Sequence, residues 1–178
     1  EFEKGEPVAL NGENLDTVKL IEQLNELGGG YAIGRDTHVG DTVIGIKGRV
    51  GFEAAAAMML IKAHHTLEKH ILSKWQQHWK EQLANWYGML LHEAQYLDPV
   101  MRNIETFLKD TQTYVSGTVK LELAPYRFSI IGIESEFDIM QVDGGTYGEM
   151  NKAWSGEDVK GFTTVLSNSL KLFKAKQS

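Results

Sequence analysis

A chain of 178 residues with 42% hydrophobic side chains is long enough to bury one substantial core, and 18 basic against 24 acidic residues leave a formal net charge of -6. With no Lys/Arg-rich run to track phosphates, no apolar run near the roughly 20 residues that span a bilayer, and an opening EFEKGEPVAL unlike a signal peptide, nucleic-acid and membrane partners are excluded. Zero cysteines exclude disulfides, thiol nucleophiles and cysteine-ligated zinc, and the cytoplasm is the expected compartment.

The chain opens on Glu1 rather than Met, with strand-like Phe2, Val8 and Leu10 following at once, so a piece cut from something longer is expected. Residues 1–10 read as extended, and Asn11-Gly12 as a positive-φ turn. Asn14 or Asp16 then caps a helix whose apolar row is Val18, Ile21, Leu24 and Leu27, ended by Gly28-Gly29-Gly30. From Tyr31 to Glu53, glycines 34, 40, 45, 48 and 51 punctuate short strands and backbone-rich loops. Ala54 to Leu72, rich in alanine and free of Gly and Pro, predicts a long helix. Ser73 caps the next helix, 74–97, with Trp75, Trp79, Leu83, Trp86 and Leu90 on one face. Asp98-Pro99 starts a third, carrying Ile104, Phe107, Leu108 and Val115. The period then changes to two: Val119, Leu121 and Leu123 alternate with polar residues, Pro125-Tyr126-Arg127 turns the chain, and 128–133 returns as a hairpin. Residues 134–161, with Asp143-Gly144-Gly145 and Ser155-Gly156, predict an irregular excursion, and Leu166, Leu170 and Phe173 a short C-terminal helix in need of a partner.

Chemistry concentrates in Gly45-Ile46-Lys47-Gly48-Arg49-Val50-Gly51, where glycines let a backbone approach a ligand and two cations suit a carboxylate or phosphate. A glycine-rich turn without a ligand accounts for the same residues. The P-loop spacing is absent, and the dinucleotide pattern at Gly28 fails because Ile33 stands where its last glycine belongs. Arg35, Asp36, His38 and Asp41 cluster just upstream and read equally as binding loop or solvated turn. His64 and Glu68 share a helical face, but adjacent His65 points about 100° away, and no metal site is expected. The three spaced tryptophans read as core or interface. Neither a nucleophile elbow nor a catalytic pair of acids is legible, so no catalytic residue is assigned.

The stretch GRDTHVGDTVIGIKGRVGFEAAAAMMLIKAHHTLEKHIL resembles argininosuccinate synthases, in which a glycine-arginine turn leads through a G-x-K-x-R-x-x-[YF]-E segment into a long helix; the resemblance continues through YVSGTVKLEL and GFTTVLSNSLKLF. It implies a carbon-nitrogen ligase that condenses citrulline with aspartate, using ATP with Mg2+, through a citrullyl-adenylate from which aspartate's amine displaces AMP. It also implies that this chain is the C-terminal catalytic and multimerisation part, inactive alone, because the family's nucleotide-binding half lies N-terminal and carries an S-G-G-L-D-T-S loop that does not occur here. The family's citrulline-contacting glutamate and tyrosine fall here on Gly40, with Asp41 as neighbour, and on Phe52; Lys47, Arg49 and Glu53 match the motif, with Arg49 and Glu53 expected to organise the turn as well. Homotetramers with C-terminal helices reaching across subunits would be anchored by Leu166, Leu170 and Phe173.

The expected fold is α+β in one domain, 1–178: strand and glycine-rich segment 1–53, helical segment 54–116, hairpin and excursion 117–161, C-terminal helix 162–178. An antiparallel sheet is expected to be covered by three long helices, with a C-terminal helical arm. A non-catalytic self-associating or metabolite-binding relative of the synthase is the alternative reading, and an acylated citrulline the alternative substrate, with Gly40 leaving room for the added group.

Overall fold

Two turns with left-handed residues fold the first segment. Lys4-Gly5 (φ 48° and 83°) joins β1 (Phe2–Glu3) to β2 (Glu6–Pro7), and the expected Asn11-Gly12 (φ 53° and 81°) joins β3 (Ala9–Leu10) to β4 (Glu13–Asn14). The structure is a computed structural model that describes residues 1–142 and 152–177. Two compact units divide the chain, Glu1–Asp138 and Ile139–Ser178. The α+β class expected from sequence holds, but the described strands pair as four separate two-stranded antiparallel ladders rather than one sheet. A bridge between Phe2 and Gly117 links the first ladder to the start of the last one.

Asp16 caps α1 (Thr17–Gly30), its carboxylate accepting from the Lys19 amide at 3.2 Å. The buried row is Leu20, Leu24 and Gly28, not the expected 18-21-24-27, and Val18 is exposed. A step of three falls about 60° short of a turn, so four such positions wander halfway round the helix, whereas a step of four stays on one face. β5 (Arg35–Asp41) and β6 (Lys47–Glu53) form the first of the two long hairpins.

The alanine-rich stretch becomes α2 (Ala55–Ile71), the centre of the first unit. Along one face of it, Ala55, Ala56 and Met59 pack against Leu24 and Ile33, and further on Ala63 and Leu67 pack against Phe2, Leu72 and Val115. Gly28 makes the α1–α2 crossing close, since a Cβ there would lie 2.6 Å from the Met59 methyl carbon and 2.8 Å from the Ala55 Cβ. Ala54 cannot cap α2, and Asn25 of α1 substitutes: its Oδ1 accepts from the Ala56 amide at 2.9 Å. Asn25→Ala is expected to lower stability by about 1 kcal/mol, read as a lower urea midpoint at unchanged slope; an unmoved midpoint would show that water caps the helix equally well.

Ser73 and Gln76 form a capping box at the start of α3 (Lys74–His92), which ends before the expected Leu97. Asp98 caps α4 (Pro99–Thr111), accepting from the Val100 amide at 2.9 Å. α3 buries no residue fully, and Trp75, Trp79 and Trp86 are 63%, 55% and 57% exposed, so this row is surface rather than core. What ties α3 down is polar: the buried Glu68 carboxylate accepts from Lys80 Nζ at 2.7 Å and from Gln112 Nε2 at 2.8 Å, and Gln112 Oε1 lies 2.8 Å from His64 Nε2.

Burial, opposed by the Glu68 carboxylate and the Gln112 hydrogen bond, holds His64 below the ordinary imidazole pKa of 6.5. The unfolded imidazole therefore takes up a proton below pH 6.5 while the folded one stays neutral. Its contribution to stability is complete above that pH and is lost as pH falls toward the lowered folded value. The urea midpoint is expected to drop between pH 7 and 5.5, and to drop less in His64→Gln; equal slopes would remove His64 as the cause.

β7 (Thr118–Ala124) and β8 (Arg127–Glu134) form the expected hairpin, turning through Pro125-Tyr126 and carrying one extra residue at Ile131. Its inner face lies on α2.

In the second unit a short 3-10 turn (Ile139–Gln141) is followed by α5 (Gly156–Leu166) and α6 (Asn168–Ala175), which meet at Ser167. Helix therefore begins within the stretch expected to be irregular, because Ser155 and Asp158 make a capping box; Asp143-Gly144-Gly145 lies outside the described residues. The expected single C-terminal helix is bent, with Leu166 on α5 and Leu170 and Phe173 on α6, all three exposed. No helix among the described residues is long and apolar enough to cross a membrane.

Candidate functional site

The glycine-rich segment stands on α2. Gly34 has φ 82°, and its carbonyl accepts from the Ala54 amide at 2.9 Å, so the hairpin leaves and returns at the first turn of that helix. At the far end, the Thr42 amide donates to the Ile46 carbonyl (2.9 Å) and the Ile46 amide to Thr42 Oγ1 (3.1 Å). The loop between the strands carries Val43, Ile44 and Ile46, all exposed.

Strand alternation sorts the expected site residues onto two faces. Cross-strand partners share a face, and Gly40 pairs with Gly48 while Asp36 pairs with Phe52, so Gly40, Phe52, Asp36 and His38 lie together. On the other face Asp41 pairs with Lys47, Val39 with Arg49 and Arg35 with Glu53. Asp41, expected as a stand-in for the carboxylate missing at Gly40, thus faces away from Phe52 and is held by Lys47 Nζ at 2.7 Å.

The charged face is largely neutralised from within. Arg35 Nε lies 2.7 Å from Glu53 Oε1 and closes the hairpin's base, away from the turn. Arg49 has no ion-pair partner among the described residues and is exposed, which leaves it the unneutralised cation of this face. The other face is sparse: Asp36 Oδ1 accepts from the Thr37 amide at 2.7 Å, and the His38 ring occupies the space a Cβ on Gly40 would need. His38 therefore replaces some of the volume that glycine vacates, a neighbour relation two residues along a strand that only the strand assignment reveals. Arg35, Asp36, Thr37, Gly51, Phe52 and Glu53 line a shallow hollow at the hairpin's base.

His92 at the end of α3 brings Nε2 to 3.4 Å from the Asp41 carbonyl, a contact that sequence reasoning missed because 51 residues separate the two. The His64 and Glu68 pair lies elsewhere, in the buried network below α3, where Lys80 and Gln112 occupy the carboxylate. Among the described residues no group of three or more His, Asp or Glu side chains converges as a metal cluster.

Residues 1–173 match the family described as the arginosuccinate synthase C-terminal domain. The chain is 37% identical over 175 residues to the argininosuccinate synthase of Dictyoglomus thermophilum, covering 98% of this chain and 44% of that protein. It is 38% identical to the argininosuccinate synthase of Dictyoglomus turgidum over the same shares of the two proteins. Against the argininosuccinate synthase of Xanthomonas campestris it is 36% identical over 173 residues, covering 97% of this chain and 43% of that protein. The chain thus spans less than half the length of these relatives.

Proposed function

We propose, from the premise that this chain belongs to the argininosuccinate synthase family as its C-terminal domain, that it forms the citrulline side of a ligase site completed by an N-terminal nucleotide-binding half. In this reading the ureido oxygen of citrulline attacks the α-phosphorus of ATP and releases pyrophosphate. The amine of aspartate then displaces AMP from the citrullyl-adenylate to give argininosuccinate. The upstream half carries ATP and its Mg2+, and the isolated chain has no activity.

The observation that supports this most directly is the β5–β6 hairpin, which presents Gly45, Lys47, Arg49, Phe52 and Glu53 in the family's motif order on a seven-pair ladder seated at the start of α2. Arg49 is the cation free to hold an amino-acid carboxylate, and the Phe52 ring packs against the substrate's aliphatic carbons. Assayed with its upstream half, the protein is expected to release pyrophosphate only when citrulline and aspartate are both present. No release with citrulline or any N-acyl citrulline would sink the ligase reading. If N-acyl citrullines turn over faster than citrulline, the acyl group is housed beside Gly40 with the His38 ring, which fills the space next to that glycine, turned aside.

A non-catalytic module is the second reading. It is favoured by the site's thin polar complement, since neither Gly40 nor Phe52 offers the carboxylate or hydroxyl with which a site discriminates among polar substrates.

Assembly into homotetramers through the exposed row Leu166, Leu170 and Phe173 belongs to the same proposal. Leu170→Asp is expected to shift sedimentation toward smaller species, and an unchanged profile removes Leu170 from the contact.

A further inference from the structure

The free edge of β8 is the surface that the folded chain leaves least explained. Strand β8 is eight residues long and pairs only with β7; among the described residues its backbone makes no hydrogen bond outside that ladder. A groove of about 950 Å³ runs beside this edge, between β8 and α2, with Met58 and Ile61 of α2 and Phe128 and Ile130 of β8 among its apolar lining. Edge strands are normally guarded by a lysine, a proline or an inward-pointing charge. Arg127-Phe128-Ser129-Ile130-Ile131-Gly132-Ile133-Glu134 contains no lysine or proline, and its two charges stand at its ends.

Those ends are self-complementary. Two antiparallel copies of β8 can be set with Arg127 opposite Glu134, Phe128 opposite Ile133 and Ser129 opposite Gly132. In an uninterrupted strand this register would place inward residues opposite outward ones. The bulge at Ile131 removes the conflict. Phe128 and Ile130 sit opposite Leu123 and Leu121 on the core face, and beyond the bulge Ile133 sits opposite Val119 on that same face. Phe128 and Ile133, five positions apart, therefore face the same side, and three of the four pairs in the self-register match inside with inside or outside with outside, while the central pair, Ile130 with the exposed Ile131, falls on the bulge itself. Arg127 has no ion-pair partner among the described residues, and the Glu134 carboxylate, 2.7 Å from Lys120 Nζ, keeps lone pairs for a second cation.

We propose that β8 is the pairing edge for a second copy of this chain, giving a continuous β7-β8-β8-β7 sheet with an ion pair between Arg127 and the other copy's Glu134 at each end. The exposed Lys62 and Lys69 stand at the rim of the groove and keep their ammonium groups in water while the apolar floor is covered. The assignment is independent of the reaction proposed above, since it needs neither citrulline nor nucleotide.

The absence of native cysteine makes a direct test possible. Ser129 is exposed, and a Cβ at Gly132 meets nothing closer than 3.6 Å, so Ser129→Cys and Gly132→Cys should each leave the fold intact, checked by their melting curves. In the proposed register the two positions face each other across copies, whereas Ser129 lies roughly 10 Å from its own counterpart, beyond the reach of a disulfide. Oxidising an equal mixture of the two variants is expected to give at least ten times the cross-linked dimer of either variant alone. Arg127→Glu is expected to raise the dimer dissociation constant about tenfold. Equal cross-linking in mixture and singles overturns the proposal, as does sedimentation of the parent chain as a monomer. So does a dimer lost in Leu170→Asp but not cross-linked in the mixture, which places the contact on the C-terminal row. Cross-linking that disappears once the upstream half is attached means that this half covers the edge, and equally overturns the assignment.

Discussion

Lys80→Ala is expected to lower the folding stability by about 3 kcal/mol, because it strands a charge that the fold has already taken out of water. The Glu68 side chain is 5% exposed and Lys80 12%, with 2.7 Å between them. Two hydrogen-bonding groups meet that carboxylate, and Gln112 alone, a neutral donor at 2.8 Å, does not offset its desolvation. The loss should appear as a lower urea midpoint together with loosening of α3, since no residue of that helix is fully buried and Lys80 is its main anchor to α2. Replacing both members, Glu68→Met with Lys80→Met, is expected to recover most of the loss, because two apolar side chains of similar length need no partner. If Lys80→Ala costs under about 1 kcal/mol, the pair behaves as a surface ion pair does, and α3 must be held by its half-buried Leu83, Tyr87 and Leu90 instead.

The helices were legible where the chain carries explicit punctuation. Asp16, Ser73 and Asp98-Pro99 each cap a helix in the structure, since capping depends on residues within one turn. The hairpin at 118–134 was equally legible from its period of two. The apolar row of α1 was misplaced because spacing of three and spacing of four both look periodic in a string and differ only on a cylinder. The end of α3, five residues before the expected Leu97, was missed because Glu93 to Leu97 lacks Gly and Pro. In the glycine-rich segment the sequence showed which residues are present but not which face each occupies. That depends on the register of a seven-residue ladder, and one register separates Phe52 and Gly40 from Asp41, Lys47 and Arg49. Contacts across long separations, Lys80 with Glu68, Gln112 with His64 and His92 with Asp41, have no local signal at all. The row of tryptophans was read as core or interface, and only the fold shows that nothing in the first unit covers it.

That dependence on register makes Gly34 the residue whose loss should disturb the candidate site most. It combines φ 82°, a conformation that disfavours a β-branched side chain, with a position where any Cβ would lie 2.6 Å from the Ala54 carbonyl carbon and the Ala55 amide nitrogen. Both obstacles are backbone, at the first turn of α2, so neither can rotate away. Gly34→Val is therefore expected to cost about 3 kcal/mol, strain and overpacking together, and to break the bond from the Ala54 amide to the Gly34 carbonyl that seats the hairpin. Gly51→Ala is the matched control, because it sits in the same hairpin with no positive φ and nothing within 4 Å of an added Cβ; it is expected to be near neutral. In the protein with its upstream half, Gly34→Val should lower citrulline-dependent pyrophosphate release more than tenfold even at temperatures where circular dichroism shows the helices intact, since a shift of about 1 Å in a positioning element costs on that order. Activity that falls only in step with unfolding would mean that the hairpin tolerates a displaced base, and that its seat on α2 serves stability alone.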